Sequence, residues 1–165
     1  MRKVARKARR ALKIDVIVES DRWQESDDVR SLVRRAAREA AAALSTPAAE
    51  LAIVLSDDSA IRVLNRVWRG VDRATNVLSF PTKRAADSAP ALLGDVVLAY
   101  ETIAREARAE RKPFADHVAH LAVHGFLHLL GYDHQRSGDA AAMERVERDV
   151  LRRLAIPDPY RPAGA

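Results

Sequence analysis

Apolar and polar positions along the chain follow two periods, and their alternation predicts the architecture. From Lys13 to Val18, Ile14, Val16 and Val18 alternate with Lys13, Asp15 and Ile17, as in a strand whose second face is partly buried. Val29, Leu32, Val33, Ala36, Ala37 and Ala40 then recur at helical spacing, with Arg30, Arg34, Arg35 and Arg38 on much of the other side. Ser26 or Asp27 can cap this helix, which should end before Pro47. Residues 51–55 form a short apolar run that reads as a buried strand, and Ser56-Asp57-Asp58 starts a helix carrying Ile61, Leu64 and Val67. A β-α-β-α opening of this kind favours a largely parallel sheet with helices packed on it.

Thr75 to Phe80 reads as a third strand ending at Pro81, and Val96-Val97-Leu98 lies in a fourth. The loop of about ten residues between them suits hairpin partners, since a parallel crossover needs a dozen or more. The sheet is therefore expected to be mixed. Three helices follow, over residues 101–111, 113–130 and 139–154, with Pro113 suited to a first helical turn. The expectation is an α/β fold: a single domain with a mixed four-stranded sheet, flanking helices and element order βαβαββααα. Its core spans residues 13–156, between a basic extension (1–12) and a C-terminal tail (157–165).

Composition narrows the chemistry. The chain has 165 residues, of which 48% are hydrophobic, enough for one domain to bury a core without staples. It has no cysteine, which excludes disulfide frameworks, thiolate nucleophiles and Cys-ligated metal sites, so any metal must be held by His and carboxylate. No apolar run approaches the roughly 18 residues that span a bilayer, and the N-terminus lacks a secretory signal's apolar stretch. A soluble, cytoplasmic protein that does not contact membranes is expected. The net charge is +5, but the first ten residues hold six bases and no acid, so the remaining 155 residues sum to −1. That basic segment can be read as a disordered extension, as an arm that neutralises RNA phosphates, or as a transit-type segment without serine.

All five histidines lie between residues 117 and 134. On a helix, His117, His120, His124 and His128 share an arc of about 80°. His124 and His128 are about 6 Å apart along the axis, so both rings can point at one ion. Gly131 can take the positive φ that reverses the chain and returns His134 to the pair. Three neutral nitrogen ligands with a fourth position open are the pattern of a catalytic zinc rather than a structural one. One zinc ion per chain, at the C-terminal end of the histidine-bearing helix, is therefore expected on His124, His128 and His134. His120 and His128 are about 12 Å apart along the helix, too far for His120, His124 and His128 all to share the ion, so His117 and His120 are expected to be supporting or packing residues. Metzincin peptidases share the spacing but place a glutamate directly after the first histidine as general base. Here that position is Gly125, which argues against a metallopeptidase-like hydrolase and suggests room for something bulky beside the metal.

The run His124-Gly125-Phe126-Leu127-His128-Leu129-Leu130-Gly131-Tyr132-Asp133-His134 closely resembles the H-G-x-L-H-L-x-G-Y-D-H signature of the YbeY family of bacterial endoribonucleases. Three further segments agree: Leu64-Asn65-Arg66-Val67-Trp68-Arg69 followed by Thr75 to Pro81, Leu93-Gly94-Asp95-Val96-Val97, and Met143-Glu144 with Glu147. The basic extension lies outside this resemblance, and the loop at 82–91 matches weakly. The resemblance implies a single-strand-specific, metal-dependent endoribonuclease. It would act in ribosomal RNA processing, notably at the small-subunit 3′ end, and in ribosome quality control. It makes the three histidines zinc ligands and Arg69 a catalytic residue, and it implies single-stranded RNA and the ribosome or its small subunit as partners, with no small-molecule cofactor. A non-catalytic ribosome-associated assembly factor with a structural zinc is the alternative.

A zinc on neutral ligands keeps its full charge and can polarise a phosphoryl oxygen, while Arg69 would clamp phosphate oxygens. Asp133 adjoins the site but sits in a tight turn, where it can bond to backbone instead, and the RNA 2′-hydroxyl is another candidate nucleophile. Arg105, Arg108 and Lys112 on one helix face, or Lys83 and Arg84 in the loop, could track an RNA backbone; a solvated face balanced by Glu101, Glu106 and Glu110 is the plainer reading. Trp68, Phe80 and Tyr132 are expected to be core or site walls.

Overall fold

The computed structural model describes residues 12–23, 27–82, 91–133, 135 and 137–161. The basic segment 1–11, Ser26, Lys83, Arg84 and His134 lie outside the residues so described, as does the side chain of the alternative cap Asp27. Four strands and five helices follow in the expected order: β1 (Lys13–Val18), α1 (Asp27–Ala43), β2 (Ala49–Ser56), α2 (Asp58–Arg69), β3 (Val77–Pro81), β4 (Ala91–Ala99), α3 (Tyr100–Ala109), α4 (Phe114–Leu129) and α5 (Ser137–Arg153). The sheet order is β1-β2-β4-β3; β1, β2 and β4 run parallel, and β3 pairs antiparallel with β4. The short connection between β3 and β4 thus makes a hairpin, as its length requires.

The elements form where local chemistry directs them. Asp57 caps α2 by accepting the Ala60 N–H at 2.9 Å, and Gly70 closes that helix in the left-handed conformation at φ 71°. The apolar stripe of α1 is buried through Val29, Val33, Ala36, Ala37 and Ala40, and Arg30, Arg35 and Arg38 stay in water. Three alanines on that stripe, facing Ala119 and Ala122 in the same core, let α1 lie close to α4. The main core joins one face of the sheet to α1, α4 and α5, and a smaller cluster of Ile61, Leu78, Val97 and Ala99 packs α2 on the other face. Leu12, just before β1, also belongs to the main core.

Helix α4 is central. It is apolar nearly all round, with Val118, Ala119, Leu121, Ala122, Val123, Phe126 and Leu127 buried, and its histidines form the polar stripe. Gly125 sets how closely this helix meets the sheet. A Cβ there would stand 2.5 Å from Val96 Cγ1 and 3.2 Å from Ser79 Oγ, and the Ser79 hydroxyl donates to the Gly125 carbonyl at 2.9 Å. The glycine therefore makes room for β3 and β4, which corrects the expectation that it makes room beside a metal. Gly125→Ala should cost about 1–3 kcal/mol of overpacking, read as a lower urea midpoint; an unchanged midpoint would mean that Val96 gives way freely.

Candidate metal centre

Three polar residues of α4 and one of α5 meet in the core. Glu147 is fully buried, although it is an acid on a helix face otherwise carrying Met143, Val150 and Leu151. Its carboxylate meets His120 Nε2 at 3.0 Å and His124 Nδ1 at 2.6 Å, and it accepts the Tyr160 hydroxyl. Burial alone would raise its pKa, but the bonds from His120 and His124 outweigh that and hold it at about 2. Glu147 is thus an anion surrounded by three donors. Burial and the bond to that anion push the Tyr160 phenol up, so Tyr160 is a fixed donor.

The contact with Glu147 orients His124. A carboxylate only accepts, so His124 Nδ1 donates to it, and in the singly protonated ring Nε2 then carries the lone pair. That Nε2 lies 3.1 Å from His128 Nε2, with ring centroids 4.7 Å apart. Two nitrogens bound tetrahedrally to one zinc, each at 2.0–2.1 Å, would be about 3.3 Å apart. The pair is therefore set at a separation that suits two ligands of one ion, with the carboxylate behind the first ring in the carboxylate–histidine arrangement typical of metal sites.

His120, His124 and Glu147 also form a group that could hold a metal ion, with ligand atoms within 4.8 Å of one another. Its closest contact, 2.6 Å between His124 Nδ1 and Glu147 Oε1, is shorter than the spacing of two atoms on a shared ion and is that of a short hydrogen bond to a charged acceptor. The carboxylate is better placed to orient His124 than to share an ion with it. Gly131 does take a positive φ, 97°, where the chain reverses after α4. Asp133 is turned toward the backbone, accepting the Gln135 N–H at 3.2 Å.

The other residues singled out by sequence separate from this pair. His117, buried at the start of α4, meets Glu106 Oε2 at 2.7 Å, and Glu106 also accepts from Asn76 Nδ2 at 3.0 Å. Glu106 and Asn76 line a 430 Å³ cavity together with Asn65, Arg69, Arg73, Thr75, Thr102 and Arg105. Arg69 thus lies in a basic, polar hollow, and the described residues of its lining include no histidine. A larger, 660 Å³ hollow beside α2 holds the surface pair Arg62–Asp72. Of the bases on and just after α3, Arg105 leans on Asp58 at 3.9 Å and Lys112 on Glu110 at 2.5 Å, so each is partly balanced by an acid. Trp68 is 68% exposed and so is not a core residue, one of the two roles expected of it.

Burial pushes the His117 pKa down, and the Glu106 bond opposes this only in part. Its Nδ1 is buried without a hydrogen-bond partner among the described residues, so a second proton there would be stranded. A pKa below the unfolded value of about 6.5 means that stability is present above that pH and is lost as pH falls through the folded value. His117→Gln should therefore flatten the fall in melting temperature between about pH 7 and pH 5; parallel curves for both proteins would show that the group does not couple to folding.

Sequence reasoning marked Glu147 only as part of a motif and missed its role. The signal was an acid at the centre of an apolar helical stripe, one turn after Met143 and one turn before Val150 and Leu151. The contact of Tyr160 was not legible, because it depends on the last described residues folding back over α5. There Asp158 accepts the Tyr160 N–H at 2.9 Å and pairs with Arg148 at 3.3 Å, and the Arg148 guanidinium sits 5.1 Å from the Tyr160 ring centre.

The family described as "Endoribonuclease YbeY" matches residues 16–155. A protein of that name from Rhodopseudomonas palustris strain BisA53 is 51% identical over 152 residues, covering 88% of each chain. One from Bradyrhizobium sp. strain BTAi1 is 48% identical over 153 residues, covering 88% of this chain and 90% of the relative. The solution structure of TM1509 from Thermotoga maritima shares the fold, with a TM-score of 0.53 at 20% identity over 92% of this chain and 99% of that one. Among the described residues, no helix is long and apolar enough to cross a membrane.

Proposed function

We propose that this chain, which belongs to the endoribonuclease YbeY family, cuts single-stranded RNA in the cytoplasm with one zinc ion held by His124, His128 and His134. Its work would be ribosomal RNA processing at the small-subunit 3′ end and ribosome quality control, with the ribosome or its small subunit as partner. The observation that carries the zinc site is the 3.1 Å approach of His124 Nε2 and His128 Nε2, with His124 Nδ1 tied to a buried anion. The donor set fits: both nitrogens are soft enough for zinc, and the site needs no thiolate.

Zinc bound there supplies Lewis-acid charge to a phosphoryl oxygen. The chain's own residues do the rest. Glu147 holds the His124 tautomer and ring plane, and Tyr160 and His120 hold Glu147. Arg69, with Arg73 and Arg105 in the same cavity, offers permanent positive charge and bidentate donors for phosphate oxygens. His117, tied to Glu106 in that cavity's wall, is about 10 Å along α4 from His124 at ~1.5 Å per residue. An RNA strand reaching both places would be gripped at Arg69 some distance from the bond that breaks. Asp133, occupied by the Gln135 N–H, is a poor candidate for the general base.

The test is cleavage of single-stranded and duplex RNA by the full chain. Chelator should abolish cutting of the single strand, zinc should restore it, and the duplex should stay intact. A preparation that binds zinc but never cuts would instead favour the assembly-factor reading, and a His128→Ala preparation that cuts as well as wild type would assign the activity to a contaminant.

A further inference from the structure

Helix α2 carries more apolar surface than the sheet beneath it covers. Ile61 is fully buried against Leu78 and Val97, but Val63 is 47%, Val67 66% and Trp68 68% exposed. A tryptophan with most of its surface in water forgoes the stabilisation of burial. Trp68 touches Phe80 of the edge strand β3, ring centroids 6.0 Å apart and steeply inclined, which fixes the indole's position without covering it. The next residue, Arg69, leaves the helix about 100° further round and lines the cavity that also holds Arg73, Arg105 and Asn76. The last turn of α2 thus places an uncovered aromatic ring beside a basic, donor-rich hollow.

We propose that Trp68 is a stacking platform for an unpaired RNA base whose neighbouring phosphate sits in the Arg69 cavity. The inference rests on the single-stranded RNA reading and specifies how that strand is held away from the metal. Charge favours RNA over an apolar protein partner, because a protein covering Val67 and Trp68 would also have to bury the exposed Arg66 and Arg69. A nucleic acid strand meets both needs, with a π-face for the ring and a phosphate for the guanidinium. Stacking of this kind tolerates any base, which suits single-strand selectivity without sequence readout.

The chain contains two tryptophans, and the other, Trp23, is 3% exposed with its indole N–H on the Ser56 carbonyl at 2.7 Å. Trp68 is therefore the solvent-accessible emitter. Titrating the full-length holoenzyme with a 2′-O-methyl decaribonucleotide should quench the iodide-accessible emission, whereas polyphosphate of matched charge should not. In fluorescence anisotropy, Trp68→Ala should weaken binding of the oligonucleotide by about tenfold or more, the loss of one stacked base. Trp68→Phe should retain most of the affinity, and both variants should melt as wild type does. Unchanged affinity in Trp68→Ala, or RNA binding without quenching, would overturn the proposal while leaving the nuclease reading intact. Loss of self-association in Trp68→Ala, with RNA affinity unchanged, would assign the surface to a second copy of the chain and equally overturn it. No RNA binding by wild type would remove the nuclease reading, and this proposal with it.

Discussion

His128→Ala protein is expected to bind zinc more than about 100-fold more weakly than wild type and to cleave RNA no faster than a blank. The expectation follows from the division of labour between the two rings. His124 is oriented from behind by Glu147, so its Nε2 stays aimed at the same point whether or not His128 is present. Losing a ligand's outer partner typically costs about 10–100-fold in metal affinity, and losing the ligand itself should cost more. His128 is partly exposed at the end of α4, so its truncation leaves little cavity and the fold should survive. A variant that melts normally, holds no zinc and fails to cut would tie cleavage to the ion. Normal zinc binding with lost cutting would move His128 from the ligands to the chemistry.

Glu147→Gln should lower both stability and metal affinity. The wild-type carboxylate receives three donors in a fully buried position. Glutamine matches its shape but presents an amide N–H₂ to groups that already donate. At least one buried donor is then unsatisfied, costing about 1–3 kcal/mol, and His124 loses the anion that fixes its tautomer, costing about 10–100-fold in metal affinity. Urea unfolding of metal-free protein reads the first effect, and zinc competition against a chelator reads the second. A stability loss with unchanged zinc affinity would reduce Glu147 to a packing residue. Tyr160→Phe, which removes one of the three donors and keeps the ring, should show the same two effects at smaller size.

Much of the fold was legible because each element carries its own period. The alternation in β1, the alanine-rich stripe of α1 and the Asp57 cap of α2 are local signals, and tertiary packing did not override them. The hairpin of β3 and β4 followed from loop length alone. The candidate site was legible as far as helix geometry reaches: His124 and His128 are one turn apart, and their nitrogens do converge. Expectations failed where the deciding atoms lie on other elements. Gly125 was read from its neighbours in sequence, whereas Val96 and Ser79 of the sheet dictate it. Glu147 matters because α5 crosses α4 at the histidine stripe, which no period in either helix reveals. Trp68 follows an apolar helical pattern that is broader than the surface available to bury it. Arg69, a catalytic residue by resemblance, lines a cavity walled by α2, α3 and the 71–76 connection.

The central claim is that the converging imidazoles are a zinc site. It is tested most directly by elemental analysis of full-length protein purified without chelator, alongside His128→Ala and Glu147→Gln. One zinc per chain in wild type, little in His128→Ala after dialysis and weakened retention in Glu147→Gln is the predicted result. Near-zero metal in wild type, or equal zinc in all three proteins, would contradict it.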